Sequence, residues 1–519
     1  MIRGIQLTKI IVWLSVVVCG LLQSCQPKPE TERPRDPWIL RSVPDQRPKM
    51  ISLALYPEVY AAYDLQYCAF YKVWKGGIFL DGAAFNNIKT TQPTSWDTAY
   101  LEENPESPAW YVKLSSEPVA VSPSFKGYTV RKNQINFHYQ LLLPDGRLLI
   151  ATWNSLGAVY LLKGVETGDT TGIRIKRIAA GLAEPLGLKV VDGDIYVLQK
   201  QELTQLIDHD GDEVTDEYRA VCNSWGVTQD FHEFSYGLVF HQGHFYSNLG
   251  LAMRLMSHET QHPDRGSTLK IAPDGSFKKI NFGLRQANGI GIGVDGELFI
   301  TENQGRWVPS CKVIHVQPGV FHGCRLALKD SLPDIEMKPP AVWLPQDEIG
   351  NSPGQPVYVS EGTYTGQMLH GEVTHGGIKR VFPEKVNGEY QGCVFRFSQG
   401  LEAGINRMVR GPDGGLEIEF TKPLKAGRDE NLTDYTVQQW RYEPTPTYGG
   451  PKLDHTALPV KRIKVSPDRH KVHLIIPDRK EKHVVYIRLN DQLISKDNET
   501  LWSGETWYTL NAIPEANNR

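Results

Sequence analysis

Short apolar runs separated by Gly, Asp and Asn turns dominate the chain, and sustained helical periodicity is scarce. Arg147-Leu-Leu-Ile-Ala-Thr152, Ile195-Tyr-Val-Leu198, Phe245-Tyr-Ser247 and Leu298-Phe-Ile-Thr301 each follow a turn, at Asp145-Gly146, Asp192-Gly-Asp194, Gln242-Gly-His244 and Asp295-Gly-Glu297. Similar turns stand at His370-Gly-Glu372 and Asp413-Gly414. Branched and aromatic residues between turn formers read as strands, and hairpin signals that recur at roughly fifty residues are the mark of propeller blades. The pattern predicts an all-β chain with a six-bladed β-propeller over 144–414.

Around that propeller the pattern predicts two more β units. Residues 38–143 read as an N-terminal β module, in which the cluster Tyr63, Tyr67, Tyr71 and Trp74 fits core packing better than sugar stacking. Residues 415–511 read as an Ig-like β-sandwich, because Glu417-Ile-Glu-Phe420 alternates with period two and Val460–Val465, Lys471–Ile476 and Val484–Leu489 follow as strands. Residues 512–519 are a tail. Met408–Gly414 should open the strand that completes the last blade, yet it runs at once into Gly415–Leu424, so that blade reads as incomplete.

Composition narrows the function. Apolar residues make up 40% and charged residues 22% of 519, with a net charge of −3. No basic field exists to hold nucleic acid. The N-terminus changes the expected location: Arg3 and Lys9 precede an apolar run, Ile10–Leu22, that is short for a membrane span. Leu22-Gln-Ser-Cys25 resembles a bacterial lipoprotein box, which implies a signal peptide over 1–25, lipidation of Cys25 and a Pro-rich tether over 26–37. The expected protein is exported and lipid-anchored in the bacterial envelope, in the periplasm or at the outer membrane. Of the seven Cys none forms a Cys-x-x-Cys pair, which excludes covalently attached haem. Cys311 and Cys324 are the nearest candidates for a disulfide.

The chemistry-bearing residues stand at strand entrances. Thr228–Tyr246 places His232, Glu233 and Tyr236 before the apolar run Gly237-Leu-Val-Phe240. An imidazole titrates near neutrality and a neighbouring carboxylate can orient it, so His232 and Glu233 are a candidate base and partner, although neighbours on a strand face opposite ways. Arg285, Gln286, Asn288, Glu302, Asn303 and Arg306 form a second polar group, with Trp307 able to stack on a ring; Lys379-Arg380 and Asn406-Arg407 open later strands. Polar loop residues around one axis suit a ligand cavity. Separately, Asp208, Asp210, Asp212, Asp216 and Glu217 crowd one turn around Gly211, a pattern that can wrap oxygen ligands about Ca²⁺ and brace the loop, though it is not an EF-hand spacing.

Leu143-Pro-Asp-Gly-Arg-Leu-Leu-Ile-Ala-Thr-Trp153, Gly181–Leu188 and Gly283-Leu-Arg-Gln-Ala-Asn-Gly289 resemble six-bladed propellers of the glucose/sorbosone dehydrogenase superfamily, which includes soluble quinoprotein glucose dehydrogenases. Tyr63–Gly77 resembles an uncharacterised domain found ahead of propellers in exported bacterial proteins. The resemblance implies oxidation of a sugar or polyol hydroxyl, with His232 as base, Glu233 and Arg285 beside it, and pyrroloquinoline quinone held by Gln286, Asn288, Glu302, Asn303, Arg306, Trp307, Lys379, Arg380, Asn406 and Arg407. It also implies Ca²⁺ and a separate electron acceptor such as a cytochrome c. The sequence departs from the quinoprotein pattern where Phe234, Ser235 and Tyr236 replace small glycines, and where Thr301-Glu-Asn-Gln-Gly305 lacks a Pro. The alternatives are a non-catalytic propeller that binds glycan or protein, and a non-redox carbohydrate lyase or hydrolase.

Overall fold

The computed structural model describes residues 137–513, apart from 144, 153–156, 166–172, 229–231, 254–260, 328–334, 374–376, 398–401 and 412–413, and a short strand pair, Met50–Ile51 with Val112–Lys113. The expected signal peptide, Cys25, the tether and nearly all of the expected 38–143 module lie outside the described residues. Among the described residues, no helix is long and apolar enough to cross a membrane.

The fold is all-β and its first four sheets share one plan. Each is a four-stranded antiparallel meander with strands paired in chain order. They run from Phe137–Leu142 to Arg174–Ala179, from Gly187–Val191 to Glu217–Cys222, from Ser235–His241 to Phe277–Lys279, and from Gly289–Ile292 to Val342–Leu344. The opening strands of consecutive sheets lie against one another, so the sheets follow each other side by side. Period-two alternation supplies the glue. Val197 packs toward the first sheet with Leu149, Val159 and Leu188, while its neighbour Leu198 packs toward the third with Leu238, Phe245 and Leu269. Val239, Tyr246, Ile290 and Ile300 repeat this between the third and fourth sheets.

The fifth sheet departs from that plan. Val357–Tyr358, Met368–Gly371, Ile378–Val386 and Glu389–Arg396 form a meander, but Glu389–Arg396 then pairs with Glu505–Leu510. Through His483–Leu489, Tyr435–Arg441 and Leu453–Leu458 the sheet grows to eight strands. A four-stranded sheet faces its far part: Ile405–Arg410, Leu416–Phe420, Lys471–Ile475 and Arg462–Val465. Between them lies a core of Phe395, Met408, Ile418, Val472, Val485 and Tyr508. Both expected domain boundaries, at 143/144 and 414/415, fall inside hairpins, since Leu142 pairs with Leu148 and Arg410 with Leu416. The second hairpin pairs onward with Lys471–Ile475.

Trp507 seals the junction. It is fully buried beside Trp440, Trp343 and Val394, and its Nε1 donates to Glu348 Oε2 at 2.7 Å. A buried Trp needs such an acceptor, because an unpaired indole N–H would offset part of the gain from burying its rings. Trp343 N–H in turn donates to the Thr509 hydroxyl at 2.7 Å.

A chain ending at Gly414 should therefore fail to give a cooperative melt and should aggregate, because it leaves Glu389–Arg396 and Ile405–Arg410 without their partners. Calorimetry of purified truncated and full-length protein checks this; a soluble truncated protein with the full-length melting temperature would refute it.

Candidate functional site

Gln286 is where three polar stretches meet. It leaves a tight turn at Gly283 (φ 78°) and leads into Gly289–Ile292. Its Oε1 accepts from the Tyr236 hydroxyl at 2.6 Å, and its Nε2 donates to the carbonyls of Leu251 at 2.6 Å and His232 at 3.5 Å. Its own carbonyl accepts from Asn303 N–H at 3.2 Å. The side chain is buried, so these bonds make it an internal brace that fixes the 232–236, 285–288 and 302–304 segments together.

Arg285 sits next to that brace. The Glu302 carboxylate accepts its backbone N–H, and its Nη1 donates to the Gln304 carbonyl at 2.9 Å. Its guanidinium lies on Gly305, where an added Cβ would come within 2.0 Å of Cζ and would displace it. Arg285 is 7% exposed, and its Nε is buried without a hydrogen-bond partner. His232 is half-buried, with its ring 5.1 Å from that of Phe234. Asn288 and Asn303 are half-buried, and Asn303 Oδ1 accepts from the Cys311 thiol at 3.4 Å.

One residue here was not legible in the sequence. Tyr448, 60% exposed, lays its ring 5.3 Å from Arg285 Cζ. It arrives on Pro444–Gly450, a strap from the C-terminal part, which is tied down along residues 305–309. Trp307 N–H donates to Thr445 O at 2.7 Å, Gly449 N–H to Gly305 O at 3.0 Å, and Gly450 N–H to Pro309 O at 2.9 Å. Nothing local in the sequence of this strap shows what it touches.

The other sequence candidates have different surroundings. Glu233 is fully buried, accepts from Thr228 N–H and hydroxyl at 2.6 and 2.9 Å, and lies 3.4 Å from Arg265 Nε, itself buried. Burial lowers the Arg265 pKa, and the Glu233 charge opposes that shift. Glu302 forms a second buried pair with Lys312 at 3.2 Å. Lys379 is buried, which lowers its pKa; Arg380 donates to Gln367 Oε1 and to the carbonyls of Asn406 and Ile405 at 2.6–2.7 Å, with its pKa lowered by burial to about 10. Asn406 and Arg407 both donate to Glu419. Arg306 is exposed, and its backbone pairs with Tyr448. Trp307 has φ 64°, a conformation that costs a bulky residue about 1–3 kcal/mol. Its side chain lines a separate cleft. Cys311 and Cys324 are free buried thiols rather than a disulfide: Cys311 Sγ donates to Asn351 O at 3.0 Å, and Cys324 Sγ turns to Arg306 O.

In the acidic turn, Asp208, Asp210 and Asp216 offer carboxylate oxygens within 4.8 Å of one another. All three also accept from backbone N–H groups of the turn, as Asp212 does from Val214 N–H at 2.7 Å, and Glu217 is engaged by His209 and Arg219.

No family model matches the chain, and no curated protein sequence matches it. Among solved structures, it is similar to a proposed glucose dehydrogenase-type oxidoreductase from Thermus thermophilus, at 18% identity over 65% of this chain and 95% of that one, with a TM-score of 0.39. The pyrroloquinoline-quinone-bound aldose sugar dehydrogenase of Streptomyces coelicolor is 16% identical over 54% of this chain and 86% of that one (TM-score 0.39). The apo aldose sugar dehydrogenase of Escherichia coli is 13% identical over 55% and 92% (TM-score 0.37).

Glu233→Gln and Arg265→Met should each destabilise the fold by about 3–5 kcal/mol, because each strands a buried charge or its partner groups. Urea unfolding measures this. Unchanged stability, with a ligand response lost, would mean that Glu233 acts in the site instead.

Proposed function

We propose that this protein is a carbohydrate-binding β-propeller whose site lies at the end of the sheets bearing His232, Arg285 and Tyr448. In this reading the five meanders and the Ile405–Phe420 hairpin are its six blades, and the C-terminal strands are an Ig-like sandwich welded onto them. The observation that carries the reading is Arg285: a guanidinium on a residue only 7% exposed, its Nε without a partner, beneath an exposed Tyr ring and one residue from the brace that holds His232. An aromatic ring above planar donors suits a molecule with both a flat apolar face and many hydroxyls, such as a sugar or polyol.

Half of the residues expected to cradle a quinone serve as ties between strands instead. Of the candidate cofactor ligands, Gln286, Glu302, Arg380, Asn406 and Arg407 are engaged in bonds that hold strands together, which disfavours their holding a quinone. Oxidation of a sugar hydroxyl is the second reading. It is favoured by the half-buried imidazole of His232, which can take a proton near neutral pH and would need a separate electron acceptor.

Calorimetric titration with a panel of neutral mono- and disaccharides should find a saturable ligand, with Tyr448→Ala and Arg285→Lys each weakening it about tenfold. No saturable sugar, or unchanged binding in both variants, refutes the reading. If the protein also turns a sugar over, His232→Ala should cut turnover about 10²–10⁴-fold with binding retained.

The proposal keeps Ca²⁺ in the acidic turn, held by Asp208, Asp210 and Asp216 and bracing the second sheet's loop. Chelation should lower the melting temperature, and Asp210→Ala should abolish that response, since a ligand bound only by the folded state stabilises it. Identical melting with saturating Ca²⁺ and with chelator refutes the site. The lipid anchor at Cys25 and the envelope location rest on the N-terminal signal; Cys25→Ser should leave the membrane fraction on cell fractionation, and retention there would mean attachment by other means.

A further inference from the structure

Trp307 occupies a backbone position that suits glycine or asparagine. Residues 305–308 form a turn closed at both ends, with Gly305 N–H donating to Val308 O at 2.9 Å and Val308 N–H to Gly305 O at 3.1 Å. Trp307 is the third residue of that turn, at φ 64°. A large side chain is strained there, and such strain persists only where the surroundings over-determine it. We propose that Trp307 is a positioning residue: its ring pins the turn, the turn holds the Pro444–Gly450 strap, and the strap fixes Tyr448 over Arg285.

Each link is a contact. The half-buried ring packs against the buried cluster of Leu251, Val308 and Cys324. With the ring seated there, the Trp307 N–H, which the turn does not use, donates to Thr445 O at 2.7 Å. One residue earlier, Arg306 pairs with Tyr448 itself. The far end of the strap lies flush on residues 304–309, since an added Cβ would come within 2.6 Å of Gln304 Nε2 at Gly449 and within 2.7 Å of Pro309 Cβ at Gly450. Two consecutive glycines make a loose anchor, which leaves the Trp307 end to set the strap's position. Tyr448 is 60% exposed, so the backbone that carries it, rather than a packed core, decides where its ring lies. The sequence-based expectation that Trp307 stacks on a ligand ring is thereby replaced by a role exerted through Tyr448. Its effect on a ligand rests on the reading that a sugar binds at Arg285 and Tyr448; its effect on the strap does not.

The test compares the full chain with Trp307→Gly, which accepts the positive φ and keeps the N–H but removes the ring, and with Trp307→Phe, which restores a ring. Two readouts need no ligand: hydrogen exchange over residues 445–450, and the fluorine resonance of 3-fluorotyrosine placed at position 448. In Trp307→Gly the strap should exchange about tenfold faster or more, and the resonance should move toward its position in Arg285→Met, while Trp307→Phe stays near the parent in both. An unmoved strap and resonance in Trp307→Gly overturn the proposal, as does faster exchange spread equally over the Ile405–Arg410 strand. Should Trp307→Gly not melt cooperatively, Trp307→Asn, which also tolerates positive φ, removes the same ring; failure of both makes Trp307 a core residue and overturns the positioning role. If a neutral sugar binds, Trp307→Gly should weaken it about tenfold and add nothing to Tyr448→Ala, because a displaced platform and an absent one are equivalent. A loosened strap with unchanged sugar affinity overturns the link to the ligand. Absence of any sugar bound to the parent refutes the carbohydrate reading alone, and the exchange and fluorine results still decide the role of Trp307.

Discussion

The ladder between Glu389–Arg396 and Glu505–Leu510 is the constraint on which the C-terminal half depends. A strand edge is a row of unmatched N–H and C=O groups, and a chain must cover it or accept a template for aggregation. Here the fifth meander covers its outer edge with Glu505–Leu510, the last of the described strands, through Gly392, Cys393 and Val394 opposite Thr509, Tyr508 and Trp507. The same pairing brings Trp507 under Glu348 and Thr509 under Trp343, so the fourth sheet is tied in as well. Once those contacts fix the C-terminal strands, the Pro444–Gly450 strap is carried to residues 305–309, and Tyr448 comes to rest over Arg285. The candidate site is thus built by two parts of the chain.

The repeating strands were legible because a half-buried strand must alternate. Val197 and Leu198 belong to different cores for that reason alone. Turn chemistry located the hairpins too. Which strand pairs with which was not legible, since period two says nothing about the partner across the ladder. Hence an expected boundary at 414/415 lies within a hairpin, and a strand near the C-terminus belongs to a sheet begun at residue 357.

The polar residues were harder to read. Arg380, Asn406 and Arg407 stand at strand entrances, as ligand-binding groups do, yet each serves as a tie between strands. A buried backbone carbonyl needs a donor as much as a ligand does, and the sequence motif is the same in both cases. His232 and Glu233 illustrate the limit set by alternation: one is half-buried beside Phe234, while the other is wholly buried against Arg265. Tyr448 and the ring of Trp307 depended on long-range contacts and a positive φ, neither of which composition or spacing encodes.

The closing strand has a consequence in time. The Gln391 amide waits for Tyr508, a partner 117 residues further along the chain. During synthesis the four opening meanders can each collapse as they emerge, because their contacts are local. The fifth cannot finish until Glu505–Leu510 has been made, and until then its outer edge is an open template. Assembly of the fifth sheet is therefore gated by the synthesis of Glu505–Leu510, and a chaperone that shields Glu389–Arg396 would matter most in that interval.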